Sequence, residues 1–482
     1  MNTQYHERNI SMVMDMYELT MSNGYLNRGY KDTWVAFDVF YRNNPDNGGF
    51  AIFAGLQQVV EYIENLHFSE EDVEYLRSKQ LFTEEFLDYL LHFRFRGDVY
   101  AMKEGTVMYP NEPIMTVVAP LIDAQLIETT ILLEINHQSL IATKTNRIVQ
   151  AANGKPVSDF GARRAHNVDA AVYGARAAYI GGAAGTATVL AGKMFCIPIS
   201  GTMAHSWVMT FDSEYDAFKA YAESYPDGTV LLVDTYDVLK SGVPNAIRTA
   251  REVLEPMGKK LIGIRLDSGD LAYLSKEARK MLDEAGLSDC IIVASNSLDE
   301  YTISSLNRQG AKIDSYGVGE RLITSSSTPV FGAVYKLVAV QKNGKFIPKI
   351  KISETAEKIT NPGIKEVYRV YDENGKAVAD YLAVKGEQIR DFEPVRYVDP
   401  VNYWKNRSFV GCRFKKLQVP VFEKGERIYD LPDIEEIRQY VNDQLKNEIW
   451  EEEQRFENAH THYLDMSPAM FELKMSLLHE EN

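Results

Sequence analysis

The chain has 482 residues, of which 45% are hydrophobic, so it can form two or three domains with buried cores. Its formal net charge of -16 argues against non-specific binding to nucleic acid or to an anionic membrane surface. Any anionic substrate must therefore be held by local arginines, lysines and backbone amides. No apolar run reaches membrane-spanning length, the first residues lack an apolar signal core, and the 3 cysteines form no zinc-binding pattern, so we expect a cytoplasmic protein.

The N-terminal part of the chain predicts helices interrupted by β-structure. Residues 15–93 are largely helical in pattern, with one strand at Trp34–Phe40. Gly97–Ala119 is β-rich, with Gly105 and the segment Pro110–Pro113 as its turns. A helical segment over Leu121–Ala152 then leads into the middle of the chain.

The middle of the chain repeats one pattern, in which an apolar run ends in small or polar residues and a helix-like segment follows. The repeat is roughly 20 to 35 residues, the length of one strand and one crossover helix. The helix-like segments are 236–254, 271–285 and 298–308. The apolar runs with their polar ends are Val157–Gly161, Val230–Asp237, Leu261–Asp270, Ile291–Ser297 and Ile313–Gly319.

Repeated strand–helix units predict a parallel sheet with right-handed crossovers. A doubly wound open sheet and a closed barrel both fit this pattern. Polar residues follow every strand rather than clustering at one switch point, which favours an α/β barrel whose loops meet on one face. Turns and helix caps explain two or three of these junctions, but they do not readily explain Arg163, Arg164 and Arg265.

A further apolar run, Met194–Ile199, is followed by small residues and then by His205. The pattern predicts a buried strand that delivers the histidine to a loop at its C-terminal end. Ser200, Gly201 and Thr202 leave room there for a ligand to approach the backbone. A lone histidine has many non-catalytic uses. The recurrence of the same strand-to-polar pattern downstream favours a functional role for His205.

Beyond the middle region the pattern returns to β-structure. Val330–Val340 and Glu366–Tyr371 predict strands, and Asn374-Gly375 after the second strand is a hairpin turn signal. Residues 401–482 are charged and are predicted to be helical. The acidic run Glu451–Glu453 is most simply the solvated face of one of these helices.

Ten short motifs are spread over nearly the whole chain: Asp15–Met21, Glu104–Thr106, Tyr109–Pro113, Asp159–Arg164, Gly201–Ser206, Leu232–Tyr236, Arg265–Asp270, Ala294–Asn296, Gly317–Gly319 and Val334–Val338. In this order they resemble the nicotinate phosphoribosyltransferase family. The resemblance implies a type II phosphoribosyltransferase fold, in which an irregular TIM-like α/β barrel lies beside an α/β sandwich built from both chain ends. The expected divisions are 1–130 and 331–400 for the sandwich, 131–330 for the barrel and 401–482 for a C-terminal helical region.

The resemblance also implies a reaction. The family joins nicotinate to phosphoribosyl pyrophosphate, giving nicotinate mononucleotide and pyrophosphate for NAD salvage. ATP hydrolysis is coupled to this transfer through a phosphorylated histidine, which is His205 in this chain. A neutral imidazole is a good nucleophile near pH 7 and can accept a phosphoryl group from ATP. Because the ribosyl carbon is electron-poor, the enzyme must mainly position groups and stabilise the charge of departing pyrophosphate.

The resemblance places the nicotinate ring between two aromatic side chains, Phe160 and Tyr17. Flat aromatic acids suit such stacking, although ordinary core packing is the alternative role for both residues. A guanidinium fork suits the carboxylate of nicotinate, and either Arg265 or Arg163 can supply it.

The expected catalytic residues are His205, Asp234 and Asp267. The two aspartates can hold ribose hydroxyls or a Mg²⁺ ion that bridges pyrophosphate oxygens. Backbone amides are expected to cradle the 5′-phosphate. The residues that carry them are Ser295, Asn296, Gly317 and Gly319.

Three alternatives to this function remain open. Nicotinamide phosphoribosyltransferase shares the fold and the histidine, but that family carries an aspartate in the stretch aligned with Gly185–Val189, where this chain has Ala187. An aspartate there would repel a carboxylate, so its absence favours nicotinate. A type I phosphoribosyltransferase matches Val233–Tyr236 only in part, and no threonine-rich phosphate loop follows. A non-catalytic phosphosugar sensor would be expected to lose His205 or the arginines.

The resemblance finally predicts an assembly. In the family, a tyrosine from a second subunit completes the nicotinate site. Tyr17 lies in an N-terminal helical segment outside the expected barrel. We therefore expect a two-fold homodimer with composite sites, each using Tyr17 of one chain and Phe160, Arg265 and His205 of the other.

Overall fold

The computed structural model describes residues 8–355 and 358–480. The outer limits of the expected domains, at residues 1–7 and 481–482, lie outside the described residues. The described chain forms two compact units. The flanking unit contains the residues up to 140 and those from 330 onward, and the central unit contains residues 141–329.

The helices and strands lie in three stretches of the chain. The N-terminal stretch contains α1 (Met16–Asn27), β1 (Trp34–Phe40), β2 (Ala51–Ile52), α2 (Leu56–Asn65), α3 (Glu70–Ser78), α4 (Glu84–Leu91), β3 (Asp98–Met102), β4 (Val107–Met108), β5 (Met115–Pro120), α5 (Leu121–Gln125) and α6 (Glu128–Ala151). The middle stretch contains β6 (Val157–Asp159), α7 (Val168–Ile180), β7 (Gly185–Thr186), α8 (Val189–Phe195), α9 (His205–Thr210), α10 (Glu214–Ser224), β8 (Val230–Leu232), α11 (Val243–Thr249), β9 (Gly263–Leu266), α12 (Leu271–Glu284), β10 (Ile291–Ser295), α13 (Glu300–Arg308), β11 (Ser315–Val318) and α14 (Glu320–Ile323). The C-terminal stretch contains β12 (Val334–Lys342), β13 (Lys345–Pro348), β14 (Lys365–Tyr371), β15 (Ala377–Val384), β16 (Val395–Val398), β17 (Asn406–Phe409), β18 (Arg413–Lys416), β19 (Gln418–Glu423), β20 (Glu426–Arg427), α15 (Ile434–Asp443), α16 (Glu451–Gln454), β21 (Leu464–Met466) and α17 (Pro468–Glu480).

The flanking unit is built on two large sheets. An antiparallel 7-stranded sheet has the order β13-β12-β1-β5-β3-β19-β20, and a mixed 6-stranded sheet has the order β17-β16-β21-β15-β14-β18. Strand β1 confirms the predicted strand at Trp34–Phe40 and pairs with β5 and β12. It is buried along almost its whole length because sheet neighbours and helices cover it. Residues from both flanking parts of the sequence therefore share one core.

The prediction of a helical region over residues 401–482 is wrong for a large part of that range. Strands β17 to β21 occupy it together with α15, α16 and α17. These short strands contain charged residues, as β18 does, so they lack the alternation of hydrophobic and polar residues by which strands are predicted. Their conformation comes from pairing with distant strands, because β18 pairs with β14, β19 with β3 and β21 with β15.

The central unit contains the predicted parallel sheet. Its 6 strands have the order β7-β6-β11-β10-β9-β8. The five apolar runs that precede polar residues correspond to β6, β8, β9, β10 and β11, and the predicted helix-like segments contain α11, α12 and α13. Ile264, Leu266 and Ile292 are fully buried and lie on the same face of the sheet, because Ile264 is paired with Ile292 and Leu266 lies two residues further along the strand. Each such side chain contributes about 1.5–3 kcal/mol through removal from water.

The described residues form a mixed α/β fold, and no closed barrel is found among them. The sheet ends at β7 on one side and β8 on the other. Next to β7, only an isolated bridge joins Thr186 to Ile199. The segment that follows Ile199 leads to His205, whose ring contacts Thr235 in the loop after β8. Side-chain contacts, rather than a continuous β-ladder, therefore link the two edges of the sheet.

The predicted strand Met194–Ile199 is also wrong. Helix α8 extends to Phe195, and Cys196 ends it in a left-handed conformation with φ 58°. Pro198 has no N–H to donate, so only a single bridge forms, and Ile199 is 60% exposed rather than buried. His205 accordingly begins helix α9 instead of lying in a loop.

None of the helices in the described ranges is long and apolar enough to cross a membrane.

Candidate active site

Parallel strands of the central unit bring polar side chains to one edge of the sheet. Asp234 and Thr235 follow β8, Asp267 follows β9, and Ser295 is the last residue of β10. Strands β8 and β10 both pair with β9 in parallel register, so their carboxyl ends lie side by side. This edge is where ligands bind in parallel α/β sheets.

The His205 ring is held between two of these loops. Its Nδ1 lies 3.1 Å from the Thr235 hydroxyl oxygen, and its Nε2 lies 3.6 Å from a carboxylate oxygen of Asp267. The side chain is 40% exposed, so a ligand can reach the ring. Sequence analysis missed Thr235. Its position directly after a buried strand and beside Asp234 was the available signal.

The two expected aspartates belong to one hydrogen-bond network. The backbone N–H of Asp267 donates to Asp234 over 3.0 Å, and the Ser268 hydroxyl donates to the same oxygen over 2.6 Å. The Ser295 hydroxyl donates to Asp267. The other Asp234 oxygen, Oδ1, is buried and has no protein partner in the described residues. It is therefore available to a ligand or a metal ion.

Arg265 lies beneath this network and is mostly buried. One of its terminal nitrogens donates to the carbonyl of Met203 over 2.9 Å, whereas its Nε is buried without a partner among the described residues. Burial lowers the pKa of the guanidinium, and the charge of Arg163 lowers it too, whereas Asp267 and Asp234 raise it. Arginine remains charged under such shifts, so a cation faces the site.

The second candidate, Arg163, lies in a short 3₁₀ turn over Ala162–Arg164 and is exposed. Arg163 is exposed and Arg265 is partly buried, and the two are near enough for the charge of Arg163 to affect Arg265. The contact of Arg265 with the Met203 carbonyl holds its guanidinium in place.

The ring of Phe160 is seated on Gly317. A Cβ atom built at Gly317 would lie 2.4 Å from two ring carbons of Phe160, so only glycine fits beneath the ring. The Phe160 N–H donates to the Val318 carbonyl over 2.8 Å, which fixes the backbone beside β11. Gly319 also lies close to Phe160, since a Cβ atom built at Gly319 would be 3.3 Å from the Phe160 carbonyl oxygen. These two glycines therefore have a steric role that sequence analysis did not foresee.

The loop after β10 carries Asn296 and Ser297, both in left-handed backbone conformations with φ values of 85° and 52°. Their side chains are exposed, and the Ser297 hydroxyl donates to the Asn296 side chain over 3.1 Å. Successive backbone N–H groups in a turn can bind an anion, which suits the expected phosphate contacts.

Tyr17 belongs to the flanking unit, unlike the other expected site residues. It lies in the first turn of α1 and is 42% exposed. Partial burial and the neighbouring Glu128, which accepts a hydrogen bond from the phenol, raise the pKa of Tyr17 above its usual value. The ring is therefore neutral and partly accessible for stacking.

The described residues contain no group of three or more His, Cys, Asp and Glu side chains arranged to hold a metal ion. Mg²⁺, however, commonly takes only one or two carboxylates and completes its shell with water and substrate phosphates. The unpartnered Oδ1 of Asp234, beside Asp267, fits that pattern.

Comparison with known proteins gives matches to one family over nearly the whole chain. Family models described as the nicotinate phosphoribosyltransferase N-terminal domain, family and C-terminal domain match residues 12–136, 156–375 and 364–474. Nicotinate phosphoribosyltransferase of Bacillus subtilis is 46% identical over 99% of this chain and 96% of its own length. That of Dictyostelium discoideum is 36% identical over 96% of this chain and 87% of its own. The crystal structure of human nicotinic acid phosphoribosyltransferase superposes with a TM-score of 0.86 at 27% identity, covering 96% of this chain and 99% of that one.

Proposed function

The chain belongs to the nicotinate phosphoribosyltransferase family, and we propose that it couples its reaction to ATP hydrolysis through His205. The enzyme joins nicotinate to phosphoribosyl pyrophosphate and releases nicotinate mononucleotide and pyrophosphate, a step of NAD salvage. One observation carries the proposal of coupling. The His205 ring is held by Thr235 and faces Asp267, yet remains partly exposed at the edge where the strand ends converge.

The coupling step is a phosphoryl transfer. A ring nitrogen of His205 attacks the γ-phosphorus of ATP, the bond to the bridging oxygen breaks, and ADP leaves with that oxygen. Water later cleaves the nitrogen–phosphorus bond, which returns the histidine and releases phosphate. Asp234 and Asp267 would hold Mg²⁺, which supplies positive charge to phosphate oxygens. The contact with Thr235 keeps the ring oriented through both steps.

The glycosyl step places nicotinate against Phe160. The pyridine nitrogen forms a bond to the ribosyl carbon while the bond from that carbon to pyrophosphate breaks. Arg265, with Arg163 as the second candidate, pairs with the nicotinate carboxylate. The loop amides of Asn296 and Gly319 bind the 5′-phosphate. We further propose that Tyr17 of a second subunit covers the other face of the ring in a homodimer.

Nicotinate is preferred over nicotinamide in this proposal because Ala187 offers no carboxylate to a carboxamide. Ala187 directly follows β7 and is exposed, and its N–H donates to the Asp159 carbonyl over 2.8 Å. The side chain thus leaves open space where an aspartate would place negative charge.

The test compares wild type with His205→Asn, using radiolabelled ATP and both possible pyridine substrates with phosphoribosyl pyrophosphate. We expect acid-labile, base-stable phosphate on wild type only, and ATP-dependent product from nicotinate. The exposed His92 of the flanking unit gives the control variant His92→Asn, which should behave as wild type. Undiminished labelling and ATP hydrolysis in His205→Asn would reject the assignment. Product from nicotinamide alone would favour the alternative family, and no product at all would favour a sensor.

A further inference from the structure

Asp159 is a buried carboxylate that joins the ends of two neighbouring strands. It is the last residue of β6 and is 0% exposed. One of its oxygens accepts the N–H of Gly161 over 2.8 Å, just beyond Phe160. The other accepts the hydroxyl of Thr186, the last residue of β7, over 2.7 Å.

The same contacts extend to Ala187. The Ala187 N–H donates to the backbone carbonyl of Asp159 over 2.8 Å. The hydroxyl oxygen of Thr186 also accepts the N–H of Thr188 over 3.0 Å. Ala187 is therefore flanked on both sides by hydrogen bonds that lead back to Asp159. Asp159 therefore links the backbone next to Phe160 to the backbone around Ala187.

Burying an ionised aspartate at this position costs free energy, which implies a reason for its presence. Among the described residues, no Lys, Arg or His pairs with Asp159, and burial raises the pKa of its carboxyl while Thr186 and Gly161 lower it. Burying a charge without an oppositely charged partner costs free energy, and an apolar residue would pack there without that cost. In this arrangement the Gly161 N–H and the Thr186 hydroxyl both donate, so both oxygens of the side chain accept. A carboxylate does this, whereas an asparagine would turn an NH₂ group towards one of the donors.

We infer that Asp159 is a positioning residue for nicotinate, which sets the distance between the Phe160 ring and Ala187. This inference rests on the proposed placement of nicotinate against Phe160. Asp159 does not touch the substrate, and it is separate from the His205 cluster that handles ATP. Its loss should therefore weaken the use of nicotinate more than the use of phosphoribosyl pyrophosphate.

The experiment measures KM for nicotinate and for phosphoribosyl pyrophosphate, with ATP saturating, in Asp159→Asn and Thr186→Val. Thr186→Val removes one of the two hydrogen bonds to the Asp159 carboxylate, together with the acceptor of the Thr188 N–H, and keeps the buried volume, so it provides a second route if Asp159→Asn folds poorly. The free energy lost with a hydrogen bond to a charged group corresponds to at least about a tenfold change in an equilibrium constant. We expect the nicotinate KM to rise at least about tenfold, with the phosphoribosyl pyrophosphate KM within about twofold of wild type.

The control is Asp314→Asn, at an exposed aspartate. Asp314 also joins two strands of the same sheet, accepting the Ile292 N–H over 2.8 Å, but at their opposite, amino-terminal ends. It should leave both KM values unchanged. An unchanged nicotinate KM in folded Asp159→Asn and Thr186→Val, or equal rises in both KM values, would overturn the inference.

A third variant, Phe160→Ala, separates this inference from the proposed function. If Phe160→Ala raises the nicotinate KM and the Asp159 and Thr186 variants do not, only the positioning role fails. If Phe160→Ala has no effect, the proposed nicotinate site itself fails, and the inference fails with it.

Discussion

The ring of Phe160 and the backbone of Gly317 are in direct contact, with no room for a side chain between them. A Cβ at Gly317 would come within 2.4 Å of two ring carbons, a distance that no relaxed side chain occupies. Gly317 lies within β11, beside β6 from which Phe160 emerges, so the ring is supported by the sheet itself. Although Phe160 is the first residue after β6, its ring packs against a strand of the sheet.

Gly317→Ala should displace the Phe160 ring and impair nicotinate use. Overpacking of this kind costs about 1–3 kcal/mol, through shifts of the ring or of β11. We expect a higher nicotinate KM and a lower melting temperature, measured by steady-state kinetics and calorimetry. Gly228→Ala is the control, because a Cβ there meets nothing within 4 Å. Equal behaviour of the two variants would show that Phe160 tolerates the methyl group.

Ala187→Asp should reduce discrimination in favour of nicotinate. The added carboxylate repels that of nicotinate and accepts a hydrogen bond from the amide of nicotinamide. A charge-assisted hydrogen bond contributes about 1.5–3 kcal/mol, so wild-type discrimination should exceed about tenfold and the variant should lose it. Competition between the two substrates measures the ratio of kcat/KM. Ala187→Asn separates charge from size, and an unaffected Ala187→Asp would remove this residue from substrate selection.

Mixing Tyr17→Ala with His205→Ala tests the shared site. If each site takes Tyr17 from one chain and His205 from the other, a mixed dimer has one site with both lesions and one with neither. Random reassortment should then restore activity to at most about a quarter of wild type. The activity of the mixture is measured after subunit exchange has been demonstrated by differently tagged chains. An active monomer, or no recovery despite exchange and severe single defects, contradicts a shared site.

The buried carboxyl of Glu18 should make stability depend on pH. Glu18 forms a capping box with Asp15 and accepts the N–H of Thr129 over 3.2 Å. Burial raises the pKa of Glu18 from 4.5 to about 7. The folded protein therefore binds this proton more tightly than the unfolded chain, and stability is lost as pH rises between those two values.

Glu18→Gln removes the titration and keeps an acceptor oxygen. The fall in melting temperature between about pH 5 and about pH 8 should be smaller in this variant than in wild type. Glu70→Gln, at an exposed glutamate in the first turn of α3, should keep the wild-type dependence. A steeper fall in Glu18→Gln would contradict the direction of the shift.

Much of the central unit follows from local sequence. Apolar runs such as Ile291–Ser295 and Gly263–Leu266 form strands with one fully buried face, and their repetition with helix-like segments marks them as strands of a parallel sheet. Polar residues after each run mark the edge where the site forms. The order of motifs along the chain was sufficient to indicate the family, because each motif combines a strand end with a specific polar residue.

The partners of these residues, by contrast, were decided only by the tertiary structure. Thr235 in the loop after β8 contacts His205 of α9, and Gly317 of β11 lies beneath Phe160 after β6. These elements are distant in sequence and meet only in the folded structure. Short strands such as β18 were mistaken for helix because pairing with distant strands, not local periodicity, determines their conformation. Sequence by itself determined which residues are apolar, flexible or reactive. Their distances depend on long-range packing, which no local pattern contains.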